Sequence, residues 1–182
     1  MNRAAGNGFS LVETLVALLL ITVGSVGLAG LQVSARQLGL EALQRTEAAA
    51  LAADILERMR INPDALAAYA TNGLGNASGR VLDHPGTDCT ALPCTPTQWA
   101  IWDQWDWERA LNGTVRGASL GGLVRPTACV GVVGRAVTVE IAWEGRHGKP
   151  LTESITQCGA NAYGIDDRRR QLVSTASFVG ER

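Results

Sequence analysis

The pattern of apolar and polar positions opens with one unbroken block. From Thr14 to Ala35 no residue carries a charge, and the block follows directly on Gly8-Phe9-Ser10-Leu11-Val12-Glu13. A membrane-crossing helix needs about 20 consecutive apolar residues, and this block is long enough. Past Ala35 the pattern changes without a break. Leu40, Leu43, Leu51, Ile55 and Met59 recur at helical spacing, with Ala48, Ala52 and Leu56 beside them. They form a single apolar stripe. Glu41–Arg45 and Asp54–Arg58 are i,i+4 pairs on the other side, each contributing a few tenths of a kcal/mol. Pro63 ends the pattern and pushes Asn62 toward an extended conformation. The spacing predicts one helix from about Leu11 to Ile61, roughly 75 Å long at 1.5 Å per residue. Only about 30 Å of it fits in lipid. The amphipathic remainder is expected to lie against a globular domain.

Beyond Pro63 the elements are shorter. Residues 64–96 read as loop-rich. The run from Asn72 to Gly79 holds turn residues, and its glycine spacing does not match a phosphate-binding loop. Thr97 to Leu111 reads as a helix, with Thr95 or Thr97 as N-cap and Asn112-Gly113 as the stop. It carries Trp99, Trp102, Trp105 and Trp107. Positions 99, 102 and 106 share a face, so some of these indoles are expected in the core. The texture from Thr114 onward is β. Thr127 to Val133 and Arg135 to Trp143 are rich in β-branched residues, and Val137, Val139, Ile141 and Trp143 alternate with polar or small residues. Gly145 to Pro150 reads as a turn, Leu151 to Gln157 as a returning strand and Gln171 to Val179 as a last strand. Short connections between successive strands predict an antiparallel sheet. The fold class is therefore α+β.

Gly24, Gly27 and Gly30 interrupt the apolar block every three residues. Each costs about 1 kcal/mol against Ala in a helix interior. Two roles fit them: close packing between membrane helices, or a weak point where the helix unwinds.

Charge excludes one class. The 182 residues carry 16 basic and 17 acidic side chains, a net of −1. No broad basic field is present to meet phosphates, so nucleic acid is not an expected partner. Arg168-Arg169-Arg170 is the one basic cluster; it follows Asp166-Asp167 and reads as a solvated, locally neutralised turn.

All four cysteines, Cys89, Cys94, Cys129 and Cys158, lie beyond the apolar block. An even number in an exported domain points to two disulfides, with three connectivities possible. Cys89–Cys94 with Cys129–Cys158 is the favoured pairing. Zinc is disfavoured, because no C-x-x-C is present and His84 and His147 lack ligand spacing. No metal or other cofactor is expected.

The carboxylate of Glu13 stands at the lip of the apolar helix. A charge at mid-bilayer costs roughly 2.5–3.5 kcal/mol, less toward the interface, so such a residue asks for a partner. A cut after Gly8 would create one: the new α-amine of Phe9 on a neighbouring copy. Two plainer readings compete. Arg3 and Gly27-Leu28-Ala29 fit a secretory signal peptide, but Glu13 interrupts the apolar core, which also exceeds the usual 7–15 residues or so. An ordinary single-pass anchor explains the helix but leaves Gly8-Phe9 and Glu13 unexplained.

The junction resembles the class III leader of the type IV pilins and their relatives, in which a membrane peptidase cuts after a Gly and methylates the new N-terminal Phe. The resemblance implies a leader of residues 1–8, cleavage between Gly8 and Phe9, methylation of Phe9 and a role for Glu13 in subunit assembly. Residues 9–35 then form the transmembrane and assembly half of the helix, and 36–182 a periplasmic, pilin-like domain. Removing Arg3 leaves 15 basic side chains against 17 acidic, a net of −2. Arg3 also holds the amino terminus cytoplasmic by the positive-inside tendency.

Further stretches are similar to the minor pilins known as type IV pilus modification proteins. They are residues 23–32, Asp54 to Pro63 with its Arg58-Met59-Arg60-Ile61-Asn62-Pro63 core, Cys94-Thr95-Pro96 before a Trp-bearing helix, and Val137 to Trp143. That resemblance implies incorporation into a pilus and support of its assembly, and through it adhesion or twitching motility. The implied partners are other minor and major pilins, the prepilin peptidase and the inner-membrane assembly machinery. A minor pseudopilin of a type II secretion system is the alternative with the same leader.

An enzyme is not expected. No G-x-S-x-G or H-E-x-x-H occurs. Asp103, Asp106 and Glu108 on the Trp-bearing helix are the nearest thing to paired carboxylates, which would make the protein a membrane-anchored glycan hydrolase. A solvated helix face is the simpler account of them.

Overall fold

The computed structural model describes residues 10–77, 81–115, 118–119, 122–146, 148 and 156–180. Met1 to Phe9, and with them the proposed leader and its cleavage point, lie outside the described residues. So do His147 and most of the expected strand Leu151 to Gln157; Thr156 and Gln157 are described and belong to no strand.

The first element is α1 (Leu11–Ile61), with the extent that the hydrophobic pattern predicts. Contacts divide the chain into two units at Leu40/Glu41. In the first unit α1 is apolar and exposed. Three of its hydroxyls bond its own backbone: Thr14 donates to the Leu11 carbonyl, Thr22 to Leu19 and Ser25 to Ile21. The helix runs unbroken through Gly24, Gly27 and Gly30.

The second unit is an α+β domain. The rest of α1 buries Ala48, Ala52, Ile55, Leu56 and Met59 in one core with Ala128, Val130, Val137, Val139 and Ile141 of the sheet. This matches the part of the stripe from Ala48 to Met59; Leu40 and Leu43, read as its start, are exposed. The sheet has four strands in the order β1-β4-β5-β6, all antiparallel. They are β1 (Thr71–Leu74), β4 (Thr127–Val133), β5 (Ala136–Glu144) and β6 (Arg170–Phe178). Between β1 and β4 come α2 (Pro96–Leu111) and a separate two-stranded ribbon, β2 (Thr114–Val115) with β3 (Ala118–Ser119).

The start and stop of α2 follow from local chemistry. The Thr95 hydroxyl accepts from the Gln98 amide while the Gln98 side chain accepts from the Thr95 amide, a reciprocal cap. Gly113 adopts φ 75° just past the end, a conformation that favours glycine.

Three expectations need correction. Residues 64–96 are less irregular than expected, because Pro63–Tyr69 forms a 3-10 helix and Thr71–Leu74 a strand. Both are held by burial of Leu66, Tyr69 and Leu74. The core face of α2 is Ala100, Trp107 and Leu111, not the 99/102/106 face; Trp99 is exposed. Trp107 is fully buried, and its indole donates to the Leu51 carbonyl of α1 at 2.9 Å. Finally, the basic run is not wholly solvated. Arg170 is buried and donates to the carbonyls of Cys158 and Thr156, and Arg169 pairs with Glu144.

Candidate functional site: an exposed apolar helix and the domain behind it

Residues 11–40 are the first candidate surface. Leu11, Val12, Leu15, Leu18, Leu19, Ile21, Val26 and Leu31 are all well exposed. Soluble domains rarely present a contiguous apolar surface of this extent, so it marks a membrane or protein contact. The helix is long and apolar enough to cross a membrane. A Cβ built at Gly24, Gly27 or Gly30 meets nothing within 4 Å, so the glycines relieve no crowding among the described residues. Glu13 lies in the first turn of α1, where the unpaired amides of a helix start favour a negative charge. Phe9, whose amine is its expected partner, lies outside the described residues.

The cysteines are paired Cys89–Cys94 and Cys129–Cys158, with Cα separations of 5.5 and 5.9 Å. The first closes a short loop ahead of α2. The second ties the segment after β5 onto β4. There Tyr163 is buried, its hydroxyl donating to the Ala142 carbonyl, and burial pushes its pKa up to about 12. Asp167 accepts from the amides of Asn161 and Tyr163 and fixes this turn.

A cluster that sequence spacing could not reveal joins α1 to α2. The Arg58 guanidinium meets three carboxylates: Asp54 at 3.0 Å, Asp103 at 3.2 Å and Asp106 at 2.9 Å. The Tyr69 hydroxyl donates to the other oxygen of Asp103, and Asn62 bonds Tyr69 and the Pro96 carbonyl. Burial lowers the guanidinium's basicity, but the three carboxylates outweigh it and raise the Arg58 pKa. Burial raises Asp103, against the pull of Tyr69 and Arg58. It also raises Tyr69 well above an ordinary phenol. Arg58 and Asp103 are 45 residues apart, and no periodicity links them. The i,i+4 pair Asp54–Arg58 was the only visible hint.

This geometry also corrects the solvated-face account of the α2 carboxylates. Asp103 and Asp106 are held by a guanidinium, and Glu108 is buried against Asn112. Asp103 and Asp106 so engaged pin α1 to α2, while Glu108 bonds within the end of its own helix. Among the described residues no group of three or more His, Cys, Asp or Glu is placed to hold a metal ion.

Comparison with known proteins now bears on these surfaces. Residues 30–105 match the model of the Tt1218-like family, described as type IV pilin Tt1218. Over those residues the chain is type IV pilin-like. The similarity begins inside the exposed part of α1 and ends at Trp105 within α2, so it includes Arg58 and Asp103 but not Asp106. A search of curated proteins and a search of solved structures find no match. The pilin-like stretch therefore contains the helix half that packs on the sheet and the first part of α2.

Proposed function

We propose that the protein is a minor pilin, similar to the PilV type, built into a type IV pilus. The observation that carries this is the junction Gly8-Phe9…Glu13 opening an exposed apolar helix, next to a pilin-like stretch that does not include that junction. The two supports come from different residues.

In this reading the leader of residues 1–8 is removed, Phe9 becomes the methylated terminus, and residues 9–35 anchor the subunit in the inner membrane. Residues 36–182 fold in the periplasm, where the disulfides form. Glu13 pairs with the amine of a neighbouring Phe9, which removes the cost of placing a carboxylate among packed apolar helices. The prepilin peptidase, the assembly machinery and other minor and major pilins are the partners. After extraction the subunit reaches the cell surface, where it supports pilus-dependent adhesion or twitching motility. The role is structural and needs no cofactor.

The test is Glu13→Ala in cells that make pili. Membrane insertion stays normal, because the variant helix is more apolar, while the amount of this subunit in sheared pili falls. Normal incorporation of the variant would refute the pairing. Co-purification of the processed protein with pilins, rather than with secretion components, distinguishes the pilus from a type II secretion system.

A further inference from the structure

Where the end of α1 meets the first turns of α2, a cavity of about 330 Å³ is lined by Arg58, Ile61, Asn62, Trp99 and Asp103. That volume is at the small end for ligand pockets and suits a single ring. Two of its walls are apolar. Trp99 is 38% exposed and Ile61 68%. Neither side chain belongs to the core, which takes Trp107 from the same helix as Trp99. A large aromatic ring left at the surface beside a cavity is suited to contact with a ligand.

The polar side of the cavity keeps hydrogen-bonding capacity of both kinds. A guanidinium carries five N–H groups, and Arg58 directs three of them to Asp54, Asp103 and Asp106. The Asn62 amide nitrogen donates to the Tyr69 hydroxyl and the Pro96 carbonyl. A carbonyl only accepts, so the amide orientation is fixed and Oδ1 faces no donor among the described residues. Asp103 accepts one bond at each oxygen and has lone pairs left. Charge then narrows the ligand. The two charged lining groups are of opposite sign and already paired at 3.2 Å. An incoming anion meets Asp103 and an incoming cation meets Arg58, so neither is matched. A neutral ligand with adjacent hydroxyls on one edge and an apolar face on the other is matched. Each hydroxyl both donates and accepts, and ring C–H groups sit well on the negative face of an indole. We propose that this cavity is a saccharide-binding site. It takes one neutral pyranose ring, its C–H face on Trp99 and its hydroxyl edge on Asn62, Arg58 and Asp103. This inference does not depend on the leader, on Glu13 or on incorporation into a pilus.

The test uses the full chain in a detergent without a sugar headgroup. It is titrated with the methyl glycosides of glucose, galactose, mannose and N-acetylglucosamine, and binding is read from saturation-transfer NMR of the ligand. At least one of the four binds saturably at millimolar concentration, and better than glucosamine or glucuronic acid, which place a charge on the same ring. Trp99→Ala weakens that binding about tenfold or more, the scale of one lost aromatic contact, whereas Trp99→Tyr keeps most of it. Ile61→Asp puts a charge on the apolar wall at an exposed position outside the core and weakens binding likewise. Ile101→Ala, exposed on α2 but not lining the cavity, leaves it unchanged. Circular dichroism confirms the fold of each variant. The matching trisaccharide distinguishes the source: tighter binding assigns the ring to the interior of a polysaccharide, equal binding to a glycan end, and both support the site. Failure of all four neutral rings to bind would overturn the proposal. So would stronger binding of a charged ring, or binding unaffected by Trp99→Ala and Ile61→Asp.

Discussion

Arg58 is the residue on which the contact between α1 and α2 turns. Its side chain is 25% exposed and Asp103 is 13% exposed, while Asp106 is 43% exposed. Removing the guanidinium leaves Asp103 half-buried with only Tyr69. Arg58→Met, which keeps much of the stem, is expected to cost about 2 kcal/mol, between a screened surface pair and a buried charged hydrogen bond. Asp106→Asn is expected to cost less, because water reaches that carboxylate. Urea unfolding of the two variants checks the order. Glu108 makes a separate prediction. Burial raises its pKa above the ordinary 4.5, so the folded state holds the proton more tightly than the unfolded chain. The resulting stability is fully present below the unfolded value and is lost as pH rises through the folded one. Glu108→Gln should flatten that part of the stability–pH curve. Asp103, raised in the same direction, keeps some slope in place. An unchanged slope in the variant would contradict this account of Glu108.

At the scale of elements, the two disulfides constrain unequal lengths of chain. Cys129–Cys158 spans 29 residues and Cys89–Cys94 spans 5. Loop-closure entropy makes the first worth roughly 3–4 kcal/mol and the second nearer 2. The double Cys→Ser variants are expected to lose stability in that order, read from denaturant midpoints. Much of the element order was legible. The uncharged block and the stripe behind it define α1, because burial and helical period act together over many residues. Thr95 and Asn112-Gly113 bracket α2 through capping chemistry, β-branched residues mark β4 and β5, and alternation marks β5. The remainder was hidden for physical reasons. β1 contains Asn72 and Gly73, which look like turn residues, and it is a strand only because β4 offers an edge. Four tryptophans spread around α2 do not say which face is buried; the packing of α1 decides for Trp107. The Arg58 cluster joins distant segments, so no local pattern contains it.

At the scale of the whole molecule, a folded α+β domain follows a helix half in which no described residue is buried. Such a surface is stable only in a bilayer or among like helices. That is the physical basis of the assembly role proposed for Glu13, whose charge disfavours an apolar surrounding until an amine neutralises it. The Glu13→Ala variant should therefore separate insertion from incorporation. The amine exists only if the chain is cut at Gly8. Intact-mass and N-terminal peptide analysis of the protein recovered from native membranes tests that step most directly. A chain beginning at methylated Phe9 is the predicted result. A chain that retains Met1 to Gly8, or one that begins at Gly30, would contradict the account.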